Sequence, residues 1–207
     1  MFGTGVERRL SSRASSSVLS QLFEPFRCSG SRLLKKIVEQ SLVIDKHAQL
    51  RTVRESQSEY SEFCLPNDTN SLGNMLGGHV MHLVDLCGAI AAMRHARCTV
   101  VTASVDQMTF LHPVRLGELV RLRSQVNRVF RTSMEVGVKV WVENLQSGEI
   151  RHTSSAYLTF VAVDAVGSRI ALAQVLPETD EEKRRFEEAA ERRAYRLAFK
   201  DNTKTNL

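Results

Sequence analysis

The sequence predicts an α+β protein in which one long helix packs against one curved, mostly antiparallel sheet. Three observations lead there. Between Asn70 and Met93 the chain carries a single charge, Asp85, in an apolar stretch that opens on the pair Gly77-Gly78, the pattern of a helix buried on most sides. Four strand-like segments follow, near 97–111, 118–129, 134–143 and 151–163, with no second helical pattern among them. Together with one candidate strand ahead of the helix they occupy about 115 of the 207 residues, which leaves no room for a second full domain.

Taken in order, residues 1–48 form a basic extension rich in Ser and Arg, with only Glu7 and Glu24 as acids in the first thirty positions. Three readings stand for it: a partly disordered tail, an organelle-targeting segment, or an over-extended start. It lacks the continuous apolar core of a secretory signal, though Leu34, Ile37, Val38, Ser41 and Leu42 share one helical face. From 49 to Cys64 runs a polar candidate strand, then the loop "LPNDTNSLG", then the helix. Met134, Val136, Val138, Val140 and Val142 alternate with Glu135, Gly137, Lys139, Trp141 and Glu143, so that strand presents one face to the core and leaves the other half open. "HPVRLGE" and "ENLQSGE" supply the turns. Residues 49–165 thus make the main domain, and 166–207 a charged helical tail, solvated or packed on a partner, whose start is marked by Thr179 with Glu182 three positions on.

Charge and cysteine usage exclude several classes. The net charge of +5 comes entirely from residues 1–55, with ten Lys/Arg against five acids, while the remainder is balanced at eighteen of each, so no nucleic-acid-binding core is expected. No stretch reaches the apolar length of a membrane span. Cys28, Cys64, Cys87 and Cys98 show no paired spacing, which fits a reducing, cytoplasmic setting, or an organelle if the extension is a transit peptide, and gives no support to a thiolate zinc site.

Long ordered blocks carry a resemblance: "PNDTNSLGNMLGGHVMHLVD", "RHARCTVVTASVDQMTFLHPVRLGE", "SMEVGVKVWVENLQSG", "LTFVAVD" and the tail "VLPETDEEKRRFEEA". Over about 50–193 the chain resembles the hotdog-fold acyl-CoA thioesterases, the group that includes bacterial single-domain acyl-CoA hydrolases and the two-domain brain acyl-CoA hydrolase. The resemblance implies the hotdog fold, an acyl-CoA substrate and no cofactor, CoA being part of substrate and product. It also implies a homodimer joined edge to edge, commonly a trimer of dimers forming a hexamer.

It further implies that Asp85 activates water or, in an alternative route, attacks the thioester itself, and that Asn74 of the "GN" pair holds the water or the carbonyl. Apolar and small neighbours Met81, Gly88, Ala89 and Ala92 would desolvate Asp85 and make it more basic. The glycines at the helix opening, Gly77 and Gly78, let a carbonyl approach unpartnered backbone N–H groups, an oxyanion site. Asp85 lies eight residues beyond Gly77, about 12 Å along a helix. Asn74 and Asp85 of one chain are then too far apart for one water, and each site draws one residue from each subunit.

For the CoA end, Arg128, Arg131, Thr132 and Ser133 in "NRVFRTSME" match the family's nucleotide contacts, beside the plain reading of a solvated strand end. Thr102 and Ser104 line the pantetheine path or belong to a core strand. His79 and His82 with Asp85 spread over about 120° of helix, a poor metal set, so no metal is expected. Two other functions on this fold stay open: an enoyl-CoA hydratase using an Asp/His pair, and an acyl-CoA-sensing regulator whose basic first 55 residues bind DNA.

Overall fold

The computed structural model describes residues 50–205, and the readings of the N-terminal extension fall outside them. The expected first strand is interrupted. A two-residue strand β1 (Arg51–Thr52) turns into the short helix α1 (Val53–Ser56) before β2 (Ser58–Phe63) begins. The cause is local: the Thr52 N–H donates to Glu55 Oε1 at 3.0 Å, and Ser56 Oγ accepts the backbone N–H of Val126 at 3.0 Å, fastening the turn to the sheet. A 3-10 turn (Pro66–Asp68) then leads to α2 (Gly77–Ala96), which starts where the glycines place it and ends on Arg97 in the left-handed conformation, φ 55°.

The next strands are β3 (Thr99–Val105), β4 (Leu119–Val129), β5 (Ser133–Asn144) and β6 (Glu149–Val163), followed by a short β7 (Val175–Leu176) and the helix α3 (Asp180–Thr205). The five-stranded sheet is antiparallel throughout in the order β2-β4-β5-β6-β3, while β7 pairs in parallel with β1. β3 is shorter than expected. It bulges between Thr102 and Ser104, and beyond Val105 the segment holds β6 through the Asp106 and Leu111 N–H groups, which donate to the Tyr157 and Thr153 carbonyls, and through the Thr109 carbonyl, which accepts from Ser154 Oγ at 2.9 Å.

One face of the sheet wraps α2. Val80, Leu83, Val84, Cys87, Ala91 and Ala92 of the helix meet Val136, Val138, Val140, Leu158 and Phe160 of the strands, all essentially buried. Close approach depends on Gly88, where a Cβ would stand 3.2 Å from the Phe160 ring. Ser124 Oγ donates to the Cys87 carbonyl at 2.7 Å and ties β4 to the helix.

The other face departs from expectation. β5 is not half open there, because α3 lies across its first half and Glu135 is fully buried. Two arginines of α3 explain how a carboxylate survives at that position. Arg192 Nη2 donates to Glu135 Oε1 at 2.7 Å, Arg196 Nη1 donates to Oε2 at 3.3 Å, and Asn127 Nδ2 adds a contact at 3.2 Å. The tail is therefore packed on its own sheet. Its start is capped as expected: the Glu182 N–H donates to Thr179 Oγ1 at 3.2 Å and the Thr179 N–H to Glu182 Oε2 at 3.1 Å. Among the described residues no helix is long and apolar enough to cross a membrane.

Candidate active site

The loop ahead of α2 is tightly knit. Asn70 Oδ1 accepts the N–H groups of Leu72 and Asn74, at 2.9 and 3.2 Å, while the Asn70 N–H donates to the Asn74 carbonyl at 2.8 Å. Gly73 takes the positive φ this turn requires, 74°. The Leu76 N–H donates to the Asp68 carbonyl and the Met75 N–H to that of Val114, so the loop is pinned at both flanks. Asn70 and Asn74 stand side by side, the first exposed and the second half-buried.

α2 has no side-chain cap at its start. The first N–H groups with helical partners belong to His79 and Val80, both donating to the Leu76 carbonyl, which leaves the exposed Gly77 and Gly78 amides unpartnered among the described residues. A Cβ on Gly78 would meet nothing within 4 Å. This end of the helix is open to a ligand oxygen and carries the positive end of the helix dipole.

Just inside it, His79 is clamped: Nε2 lies 3.1 Å from Glu62 Oε1 and Nδ1 lies 3.7 Å from Asp68 Oδ1. The three donors fall within 4.8 Å of one another and are the described cluster with cation-ligating chemistry. Each imidazole nitrogen faces its own carboxylate, the arrangement of a clamp joining β2, the 3-10 turn and α2. His79 does not approach Asp85, so the Asp/His pair of the hydratase reading is not assembled by it. His82 is exposed and meets His79 edge to face at 6.3 Å.

Asp85 sits two turns further on, and its Oδ1 accepts a hydrogen bond from Thr102 Oγ1 of β3 at 2.7 Å. That contact orients the carboxylate and leaves Oδ2 without a partner among the described residues. The expected dry surroundings are only partly there. Gly88 and Ala92 are buried, but Asp85 is half-exposed and Met81 is 47% exposed, because α2 and the free edge of β3 leave this side of a single chain uncovered. Val101 and Val105 on that edge are similarly open, at 47% and 48%.

The residues expected at the CoA end divide. Arg128 is taken up by α3: its guanidinium stacks 4.0 Å from the Phe186 ring centre and donates to the Phe186 carbonyl at 3.1 Å. Arg131 is exposed, and its carbonyl accepts the Leu172 N–H. Thr132 and Ser133 line a cavity of ≈ 1120 Å³ between the outer face of the sheet and α3, whose wall also includes Ser104. Ser133 Oγ accepts from Arg193 Nη1 at 3.1 Å. Burial pushes the Asp106 carboxyl above the usual carboxylate range, outweighing the opposing effect of its Arg196 partner. The α3 residues of this wall were not expected; their only sequence signal is the four-residue step from Glu188 to Arg192 to Arg196 on one face of the tail.

A single long helix cupped by a curled five-stranded antiparallel sheet defines the hotdog class. Residues 72–149 match the model of the Thioesterase superfamily. The chain is 40% identical over 134 residues to YkhA of Bacillus subtilis (strain 168), an uncharacterized acyl-CoA thioester hydrolase, covering 65% of this chain and 78% of that protein. It is 39% identical over 152 residues to mouse acyl-coenzyme A thioesterase 11, covering 73% of this chain but only 25% of that longer protein. Among solved structures, an apo-hexameric acyl-CoA thioesterase superposes with TM-score 0.70 at 41% identity, over 72% of this chain and 96% of that one. A Staphylococcus aureus acyl-CoA hydrolase, solved with butyryl-CoA and CoA, gives 0.71 at 33% identity over 76% and 96%. Solved variants of the latter replace one asparagine, one aspartate and one threonine by alanine, the asparagine 15 residues before the aspartate and the threonine 17 after it. This chain belongs to the thioesterase superfamily.

Proposed function

We propose that the protein hydrolyses the thioester of fatty acyl-CoA, releasing a free fatty acid and CoASH without a cofactor. The observation that carries this is the Asp85–Thr102 hydrogen bond at the edge of the sheet. Its 17-residue spacing is that of the aspartate and threonine replaced in the S. aureus hydrolase, and Asn70, 15 residues before Asp85, matches the asparagine. We therefore assign the positioning amide to Asn70 in preference to Asn74, whose N–H and carbonyl serve to hold Asn70 in place.

Asp85 Oδ2 takes a proton from water as the water oxygen attacks the thioester carbon. The Gly77 and Gly78 amides receive the carbonyl oxygen as it becomes negative. Collapse of the tetrahedral intermediate breaks the C–S bond, and the proton held by Asp85 leaves with the CoA sulfur. Thr102 keeps the other carboxylate oxygen occupied, so that one lone pair faces the water. Fatty acyl groups suit the apolar Met81 and Val105 around the site. Two chains pair along their β3 edges, each site combining Asp85 of one subunit with Asn70 of the other. Three such dimers form a hexamer, the assembly size named for the hexameric relative.

The test is thiol release from a panel of acyl-CoAs. Asp85→Asn abolishes release while CoA still binds; full turnover by this variant would refute the assignment. Mixing Asn70→Ala and Asp85→Asn subunits restores about a quarter of the activity, since half the dimers are mixed and each has one intact site. No recovery would sink the shared site.

A further inference from the structure

Enclosed carboxylates on the sheet meet arginine. Glu118 pairs with Arg151, Glu143 with Arg121, Asp106 with Arg196, and Glu135 with Arg192 and Arg196, and the side chains of these four acids are at most 20% exposed. Glu62 and Asp68 are also enclosed, at 29% and 17%, yet neither pairs with a lysine or arginine among the described residues. What faces both is the single imidazole of His79, which carries at most one positive charge against their two. Two carboxylates drawn together out of water without full compensation are held at a cost, and a divalent cation offsets it.

The geometry favours a ligand role for each residue. Tyr60 Oη donates to Glu62 Oε2 at 2.6 Å, and the Leu65 N–H donates to Asp68 Oδ2 at 3.0 Å. One oxygen of each acid is thus fixed from behind. The other oxygen is turned to the ring: Glu62 Oε1 lies 3.1 Å from Nε2 and Asp68 Oδ1 lies 3.7 Å from Nδ1. Outer partners that hold ligand groups in this way are what orients a metal site. One donor atom from each residue lies within 4.8 Å of the other two. Shifts of about 1 Å bring such a set to the roughly 3.3 Å spacing of ligands around tetrahedral zinc, with one ring nitrogen engaged and a fourth position left for water. These donors come from β2, the 3-10 turn and the first turn of α2, unlike His79, His82 and Asp85, which share one helix.

We propose that Glu62, Asp68 and His79 bind a divalent transition-metal ion of the zinc type, which joins β2 and the 3-10 turn to the start of α2. An imidazole nitrogen beside two carboxylates suits zinc better than calcium or magnesium, which take oxygen ligands. The proposal is independent of the proposed hydrolysis. The probe is the zinc ion alone, titrated by calorimetry into the full chain after treatment with a chelator. Wild type takes up one ion per subunit. Glu62→Gln, Asp68→Asn and His79→Gln each weaken binding by about 10–100-fold or more, the loss that even an outer partner of a ligand brings. His82→Gln, which alters an exposed neighbour, binds as wild type does. Because the three variants also lose the clamp, a second measurement uses the unaltered protein: zinc protects His79 from diethyl pyrocarbonate, read by tandem mass spectrometry, while the exposed His82 and His152 react as before. Absence of zinc uptake by wild type overturns the proposal, as does equal affinity in wild type and the three variants. So does binding lost in His82→Gln but kept in the three, which is adventitious surface binding only, and so does His79 reactivity that zinc leaves unchanged.

Discussion

Replacing Glu135 by Gln removes one charge from the most enclosed ionic contact among the described residues. The carboxylate is fully buried and accepts from Arg192 Nε and Nη2, from Arg196 Nη1 and Nη2, and from Asn127. Breaking a fully buried ion pair from one side costs about 3–5 kcal/mol, because the partner's charge is left behind. Here the arginine side chains keep 22% and 20% of their surface exposed, and Arg196 retains Asp106. The discounted expectation is about 2–3 kcal/mol, or about 4–12 °C in Tm for a chain of this size. Thermal and urea melts at one fixed protomer concentration measure it, fixed because association itself shifts apparent stability. Replacing both partners, Glu135→Leu with Arg192→Met, recovers most of the loss, since apolar groups of similar volume leave no stranded charge. A Glu135→Gln protein within about 0.5 kcal/mol of wild type would show that α3 is not fastened to the sheet by this pair.

Three further outcomes are expected. His95 is fully buried with its ring bonded to the Ala173 carbonyl at 2.9 Å, and burial holds its pKa below the ordinary 6.5 or so. Its neutral form therefore contributes stability that is complete above about pH 6.5 and is lost as pH falls towards the folded-state value, at up to about 1.4 kcal/mol per pH unit; urea melts of wild type and His95→Gln between pH 5 and 7 should differ in slope accordingly. Thr102→Val frees Asp85 Oδ1 and should lower kcat about tenfold or more with little change in KM; a rise in KM alone would mean that Thr102 touches substrate instead. Val101→Lys places a charge on the free edge of β3 and should give a folded monomer by light scattering and circular dichroism, without thiol release; a fully active monomer would remove the need for a partner.

Much of the fold was legible because its signals are local. The Gly77 start of α2, the strict alternation in β5 and the Thr179–Glu182 cap each need only neighbouring residues, and each is where the pattern placed it. The break after Thr52 was local too, in the Thr52–Glu55 pair, but the alternation of polar residues up to Cys64 masked it. What a strand pattern does not specify is what covers its polar face. Glu135 among valines looks like a solvent-facing residue, and its burial follows from Arg192 and Arg196, 57 and 61 positions away. The same limit applies to Arg128. A cation at a strand end suits a nucleotide, yet the residue that claims it is Phe186, in a helix whose sequence reads as solvated or packed on a partner.

Asp85 combines both situations. Its isolation between Asn70 and Met93 is plain in the sequence, and so is the helix that carries it. Its surroundings are another matter, since one chain supplies Thr102 on one side and leaves Met81, Val101 and Val105 open on the other. An exposed carboxylate keeps its hydration, and water competes with Thr102 for its oxygens. Drying the site takes a second surface, and the free β3 edge, with unpaired backbone groups next to exposed valines, is the surface of this chain best suited to receive one. In the proposed dimer, assembly and chemistry are linked through one strand: a pairing that covers Val101 would also enclose Asp85, and a partner would contribute to the reaction even before any of its residues touched substrate.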